Sequence, residues 1–333
     1  MSRPQPVLQV RDLSVQFQGN RGGWFRPQPY TVQAVNEVSL DVWPAETLGI
    51  VGESGCGKST LARAILGLVK PQSGSVRWQG EELVGLSEEA LRNTRRDIQI
   101  IFQDPAGSLD PRMTVGEAIA EPLKIFYPSM SRLQIRERVT GMMQMVGLLP
   151  DQVNRYPHEF SGGQCQRVGI ARALVVNPRL VVCDEPVSAL DVSIQAQIVN
   201  LLKDLQRKLR LSLIFIAHDL SVVRHVSDRV MVMYLGRVME INDRDAIYRQ
   251  ARHPYTKALI EAVPIPDPVQ ERARSRLLIE GDMPSPAAPP SGCVFRTRCP
   301  VATNQCAEQV PKLERLDEHA AVACLRHREL NTP

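Results

Sequence analysis

Gly52-Glu53-Ser54-Gly55-Cys56-Gly57-Lys58-Ser59-Thr60 decides how the chain reads, because it fits the pattern G-x-x-x-x-G-K-[ST]. An apolar strand, Thr47-Leu48-Gly49-Ile50-Val51, stands in front of it and a helical pattern follows to about Leu68. Glycines let such a loop curl so that successive N–H groups face inward, and the helix beginning near Lys58 adds the positive end of its dipole to the same hollow. Polyphosphate is the guest this favours. In that arrangement the Lys58 ammonium reaches the β- and γ-phosphates and the Ser59 hydroxyl ligates Mg²⁺. A glycine turn arising by chance is the alternative, and the flanking strand and helix argue against it.

The 333 residues allow two or three domains, since single cores stop growing at about 250–300 residues. With 40 basic and 36 acidic side chains the formal net charge is +4, a near balance that gives no electrostatic case for nucleic acid. The opening Met-Ser-Arg-Pro-Gln-Pro lacks an apolar leader, and no stretch approaches about 18 consecutive apolar residues. A cytosolic chain is the expectation.

Residues 7–10 and 13–17 read as two short strands, and residues 32–42 alternate as a third, so an antiparallel β layer is expected. The intervening residues 18–29, rich in Gly, Arg, Gln and Pro, read as an exposed loop. Phe17, at a strand end before that loop, is a candidate to stack on an adenine ring, with ordinary packing as the alternative. Ile98-Gln99-Ile100-Ile101-Phe102 predicts a buried strand running into Gln103, whose amide would reach a metal or a water beside the phosphates, or simply face solvent. Residues 113–149 turn helical, with Ile135, Val139, Met142 and Val146 on one stripe.

Phe160-Ser161-Gly162-Gly163-Gln164 opens a second glycine turn ahead of a helix. It is either another anion site or a plain N-capped helix with Ser161 as cap. Leu180-Val181-Val182-Cys183 is a fully apolar run, hence a buried parallel strand, and it ends in Asp184-Glu185. Carboxylates at the end of a buried strand suit the handling of cations or protons: Asp184 holds Mg²⁺ through water and Glu185 serves as general base for an attacking water. The helix over 191–210 is predicted to pack through Ile194, Ile198, Leu201 and Leu205. Residues 211–216 form the next buried strand, which ends at Ala217-His218-Asp219 and places His218 to touch a γ-phosphate.

Past Gly236 the composition shifts. Pro264, Pro266 and Pro268 punctuate one stretch and Pro284, Pro286, Pro289 and Pro290 another, which reads as an extended, semi-rigid tail. It carries Cys293, Cys299, Cys306 and Cys324, spaced C-x5-C-x6-C-x17-C. Zinc sites prefer closer pairs, and disulfides need an oxidising compartment. Four thiolates match the ligand count of an Fe–S cluster, with four unlinked cysteines as the alternative.

With residues 52–60, Gln103, residues 160–164, residues 180–185, Ser188-Ala189-Leu190-Asp191 and His218 in this order, the chain resembles the ATP-binding subunit of ABC transporters. The resemblance implies a P-loop NTPase of the α/β class over residues 1–240, with an antiparallel β subdomain and a helical subdomain at about 104–160. It also implies a head-to-tail pair of subunits. Each ATP would lie between the loop of Gly52, Ser54, Gly55, Cys56, Gly57, Lys58, Ser59 and Thr60 in one subunit and the signature Ser161, Gly162, Gly163 and Gln164 of the other. In that scheme Asp191 crosses the dimer, Gln103 senses Mg²⁺ and the membrane partner, Phe17 stacks on the base, and Ser59, Gln103 and Asp184 surround Mg²⁺. Lys58, Gln103, Glu185 and His218 carry the chemistry.

The stretches at 103–105, 110–117, 193–197 and His253-Pro254-Tyr255-Thr256-Lys257-Ala258-Leu259 are similar to the dipeptide/oligopeptide importer branch. Residues 241–333 resemble its C-terminal extension, whose cysteines imply a [4Fe–4S] cluster on Cys293, Cys299, Cys306 and Cys324. The long loop before Thr31, Gly55-Cys56-Gly57 and residues 193–195 resemble the second of that branch's two ATPase subunits. The implied partners are a paralogous ATPase subunit, two transmembrane permease subunits and, indirectly, a peptide-binding protein, with no nucleic acid. The implied location is the cytoplasmic face of the inner membrane. Glutathione, nickel or haem are neighbouring solutes, and a soluble ATPase acting on nucleic acid or ribosomes is the rival reading. Val187, Cys165 and Ala106-Gly107 depart from the usual pattern, and none of them is a phosphate or metal ligand.

Overall fold

A computed structural model describes residues 5–21, 28–263, 279 and 281–331. In chain order its elements begin with β1 (Leu8–Arg21), β2 (Gln28–Val42), β3 (Thr47–Val51), α1 (Lys58–Ile65), β4 (Ser73–Trp78), β5 (Glu81–Glu82), α2 (Glu88–Asp97) and β6 (Ile98–Ile101). There follow α3 (Val115–Phe126), α4 (Arg132–Met145), α5 (Gly162–Leu174), β7 (Leu180–Asp184), α6 (Val192–Leu209), β8 (Ser212–Ile216) and α7 (Leu220–Val226). The last are β9 (Arg229–Tyr234), β10 (Arg237–Asp243), α8 (Arg244–Gln250), α9 (Pro254–Glu261), α10 (Asn304–Glu308), β11 (Glu314–Arg315) and β12 (Ala321–Val322). The chain divides into two compact units, one of residues 1–7, 42–47 and 85–217, the other of 8–41, 48–84 and 218–333.

In the first unit β6, β7 and β8 lie side by side and parallel, with Ile98 opposite Leu180 and Leu180 opposite Ser212. Every residue of β7 and β8 is buried, which is why these strands are uninterrupted apolar runs. Segment 42–47 is pinned to them where the Leu213 N–H donates to the Glu46 carbonyl at 2.8 Å and the Ser212 hydroxyl donates to that of Trp43 at 3.0 Å. The helices α3 and α4 each start with a capping box, Thr114 with Glu117 and Ser131 with Gln134, which satisfies end N–H groups that would otherwise lack acceptors. On the predicted stripe Val139, Met142 and Val146 are buried, while of the neighbouring methionines Met143 is core and Met145 is exposed. The buried face of α6 is Ile198, Val199, Leu202 and Leu205, turned from the predicted one because Ile194 and Leu201 are only half-buried. Helix α2 has no counterpart in the sequence reading, since it buries Leu91 alone and so leaves no apolar stripe.

In the second unit one sheet has the order β2-β1-β4-β5. The two short strands predicted over 7–17 are one strand with a register shift between Arg11 and Ser14, where Asp12 takes a left-handed φ of 48; the irregularity bends the strand instead of ending it. Because β1 reaches Arg21 and β2 starts at Gln28, both ends of the predicted loop, 18–21 and 28–29, are strand, and its middle, 22–27, lies outside the described residues.

The unit's other strands run β11-β12-β10-β9-β3. Here β3 and β9 are parallel, with Gly49 opposite Val230, and the remaining pairs are antiparallel. Leu235 and Gly236, both at positive φ, make the two-residue turn that folds β10 back on β9. The expected extended tail is therefore only part of the story. Its late segment returns to the sheet as β12, with Glu240 opposite Val322, while Pro264, Pro266 and Pro268 lie outside the described residues. Among the described residues no helix is long and apolar enough to cross a membrane.

Candidate active site

Strand β3 delivers the chain to Gly52, and the loop becomes helix α1 at Gly57. Gly57 caps that helix at φ 104, and a Cβ there would lie 2.0 Å from the Ala34 carbonyl oxygen, so a side chain is excluded by angle and by space. The Cys56 carbonyl accepts from the Gly236 N–H at 2.8 Å, tying the loop to the β9–β10 turn. Burial pushes the Cys56 thiol up, against the lowering influence of Lys58, which suits a packing residue and not a nucleophile. Lys58 is itself 3 % exposed. A buried ammonium needs acceptors, and its Nζ donates to the carbonyls of Gly52 at 2.8 Å and Glu53 at 3.0 Å. Ser54 and Gly55 are exposed at the rim, and Ser59 and Thr60 are half-buried at the helix start. The loop therefore presents a cation, a hydroxyl and a helix N-terminus together, the set a phosphate chain requires.

In the other unit β7 ends at Asp184, 3 % exposed. Burial, with the neighbouring Asp184 charge, pushes the Cys183 thiol up to about 12, so this cysteine is inert packing. Glu185 takes φ 47, a region that costs a residue with a side chain about 1–3 kcal/mol and is retained where the surroundings enforce it. Those surroundings are visible: the Glu185 N–H donates to the Ile216 carbonyl at 3.1 Å, and the Ser188 hydroxyl donates to the Glu185 carbonyl at 3.1 Å. Its carboxylate accepts from the Gln103 side-chain amide at 3.1 Å. Gln103 is thus engaged with a carboxylate, a partner that spacing alone had not indicated. An amide that holds a carboxylate oxygen orients the group without neutralising it.

Ser161 caps α5. Its hydroxyl accepts from the Gln164 N–H at 3.4 Å, and its own N–H donates to the Gln164 side chain at 2.9 Å. The first turn is exposed at Ser161 and Gly162. A Cβ on Gly163 would lie 2.6 Å from the Ile194 side chain, so this glycine is set by the closeness of α6. Asp191 is the exposed N-cap residue of α6. Phe17 is 44 % exposed on β1, and His218 is exposed between β8 and α7. Lys58, Phe17 and His218 belong to one unit, and Gln103, Ser161, Asp184, Glu185 and Asp191 to the other.

The ABC transporter family profile matches residues 35–188, and that of the oligopeptide/dipeptide transporter C-terminal region matches residues 239–306. The oligopeptide transport ATP-binding protein OppF of Salmonella typhimurium is 60 % identical over 321 residues, 96 % of this chain and 96 % of that protein. The chain belongs to the ABC transporter family. A further relative of this ABC subunit is the putative oligopeptide transport ATP-binding protein YkfD of Bacillus subtilis, 50 % identical over 333 residues, 99 % of this chain and 98 % of that one. Among solved structures, the ATP-binding cassette MJ0796, in a dimeric post-hydrolysis state bound to ADP and Pi, is 30 % identical with a TM-score of 0.63 over 71 % of this chain and 98 % of that chain. CbiO1 of Clostridium perfringens, part of the transporter complex CbiONQ, is 26 % identical with a TM-score of 0.63 over 74 % of this chain and 92 % of that chain. The fold is that of an ABC ATPase, a P-loop α/β protein.

The expectation of an Fe–S cluster is corrected. Among the described residues no group of three or more His, Cys, Asp or Glu side chains is disposed to hold a metal ion. Cys293, Cys299, Cys306 and Cys324 form no disulfide and line a cavity of about 20 Å³ with Phe295, Val301 and Leu325. Burial pushes the Cys293 thiol up to about 11 and raises those of Cys299 and Cys324, which favours thiols over the thiolates a cluster takes. The OppF relatives are named for oligopeptide transport and ATP binding, and the count of four had suggested more than the site bears out. Two residues that sequence reasoning missed stand behind the phosphate loop. The Tyr255 hydroxyl accepts from the Glu53 N–H at 3.1 Å, and Arg298 binds the Glu53 carboxylate at 2.9 Å. Tyr255 lies in the stretch singled out at 253–259, but nothing in its spacing tied it to the loop.

Proposed function

We propose that this ABC ATPase binds and hydrolyses ATP to energise the import of oligopeptides. The observation that carries the chemical part is the contact of Gln103 with Glu185 on a carboxylate whose backbone is held in a strained conformation. In this reading Lys58 takes the β- and γ-phosphates, and Glu185, oriented by Gln103, accepts the proton of the attacking water. Ser59, Asp184 and Gln103 would hold Mg²⁺, which would offset the charge of the phosphates. His218 touches the γ-phosphate, Phe17 stacks on the base, and Ser161 to Gln164 with Asp191 serve the nucleotide of a facing subunit.

The solute class is supported by the names of four relatives at 50–60 % identity, which are oligopeptide transport ATP-binding proteins, and a fifth at 52 % is named for peptides. These favour transport over a soluble ATPase acting on nucleic acid or ribosomes. The partners we propose are a paralogous ATPase subunit, two permease subunits and, through them, a peptide-binding protein, at the cytoplasmic face of the membrane. Reconstituting the chain with those subunits in proteoliposomes tests this reading. ATP-dependent accumulation of a labelled oligopeptide is expected, and ATP hydrolysis that no oligopeptide accelerates would count against it.

A further inference from the structure

We infer that Arg298 is a positioning residue of the phosphate loop, acting from the C-terminal extension through Glu53. Glu53 is the point where four contacts cross. Its N–H donates to the Tyr255 hydroxyl at 3.1 Å. Its carbonyl accepts from Lys58 Nζ at 3.0 Å and from the Cys56 N–H at 3.3 Å. Its carboxylate accepts from Arg298 Nη1 at 2.9 Å to each oxygen. Displacing Glu53 therefore displaces an acceptor of Lys58 and the curl of the loop together.

The anchor behind Glu53 is stiff. Tyr234, Tyr255 and Phe295 are buried and pack ring on ring, with centroids 4.8 Å apart for Tyr234 and Tyr255, 5.3 Å for Tyr234 and Phe295, and 5.2 Å for Tyr255 and Phe295. Arg298 lies over the Tyr234 ring at 5.8 Å and donates to its hydroxyl at 3.3 Å. A turn in which the Arg298 N–H donates to the Phe295 carbonyl at 3.0 Å fixes its backbone. The Arg298 side chain is 9 % exposed and that of Glu53 29 %, so the pair is shielded well beyond an ordinary surface ion pair. Two residues of the extension thus grip one residue of the loop, at its N–H and at its side chain. In consequence the loop is shaped before nucleotide arrives, and ordering it does not have to be supplied by binding.

This inference rests on the reading of the loop as the ATP site, and the experiment separates the two. In the full-length chain, equilibrium binding of MgATP is measured beside the KM and kcat of hydrolysis in the assembled complex. Arg298→Ala is expected to weaken ATP binding about five- to tenfold, the share of a charge-assisted hydrogen bond that reaches the loop, with kcat changed less than KM. Arg298→Lys is expected to recover most of the loss, because one nitrogen of Arg298 serves both carboxylate oxygens. Glu53→Gln should weaken binding to a similar degree, and the double variant should be no weaker than the worse single, as for two halves of one contact. Should Arg298→Ala not fold, Glu53→Gln and Arg298→Lys carry the test. ATP affinity and KM unchanged in Arg298→Ala or Glu53→Gln, or losses that add in the double variant, would overturn the inference. Lys58→Ala is the control: if it keeps ATP affinity, the ATP-site reading itself fails.

Discussion

The loop at Gly52–Thr60 and the turn at Ser161–Gln164 share a plan, glycines followed by a helix N-terminus, and differ in everything that enforces it. At the first, Gly57 is required by a left-handed backbone and an adjacent carbonyl, and a buried lysine occupies the concavity. At the second, Ser161 and Gln164 cap their own helix end, and Gly163 is required only because the Ile194 side chain stands 2.6 Å from where a Cβ would be. The first is a mould braced from outside by Tyr255 and Arg298. The second is a self-sufficient helix end with an exposed face. Glycine in a motif thus answers to backbone angle in one place and to helix packing in the other.

The contrast is broken most severely at Lys58. Lys58→Ala is expected to lower ATP affinity by about 100-fold or more, as for removal of one partner of a close charge pair, while Ser161→Ala leaves binding to the unpaired chain within about twofold of the parent; equal losses in a nucleotide titration would erase the distinction. Next comes Gly163→Leu, which must push α5 from α6 and is expected to cost about 1–3 kcal/mol in denaturant unfolding, with ATP affinity of the unpaired chain retained.

The brace behind the phosphate loop also has a pH signature. Burial holds His253 down at about 3 from an ordinary 6.5, so it stays neutral, with Nδ1 accepting from the Tyr255 N–H at 3.0 Å. The unfolded chain takes up this proton as pH falls below 6.5 and the folded chain does not. Stability contributed here is therefore complete above pH 6.5 and declines toward pH 3, by up to about 1.4 kcal/mol per unit. The facing carboxyl, Glu240, is raised by burial although it accepts from the Arg252 and His253 N–H groups, and above 4.5 it acts in the opposite direction, favouring the folded state as pH falls. His253→Asn keeps a side-chain acceptor at the helix cap and is expected to flatten the acid limb in pH-dependent unfolding; an unaltered limb would assign it to other groups. The smallest effect is that of Ser161→Ala on stability, about 1 kcal/mol for a lost cap, read as a shift of the denaturation midpoint.

What was legible in the sequence follows from the forces involved. Strands β3, β7 and β8 are buried end to end, so their apolar runs announce them, and Lys58, Ser161, Asp184 and Glu185 stand at fixed offsets from those strands or from a glycine turn. Helix α2 was invisible because Leu91 is its only buried residue. The fold of the extension was hidden because β11 and β12 are two residues each, too short to carry a period. The contact of Arg298 with Glu53 joins positions 245 apart, a separation that leaves no spacing to read. The late cysteines misled for the converse reason, since a count of thiols carries no information on what surrounds them.

The measurement closest to the central claim is ATP binding and phosphate release by Glu185→Gln in the assembled complex. The substitution keeps the size of the side chain and removes the proposed base. ATP affinity within about twofold of the parent, with turnover lowered by about 10²–10⁴-fold, is the predicted result for loss of a general base. Turnover equal to the parent would contradict it and take Glu185 out of the reaction.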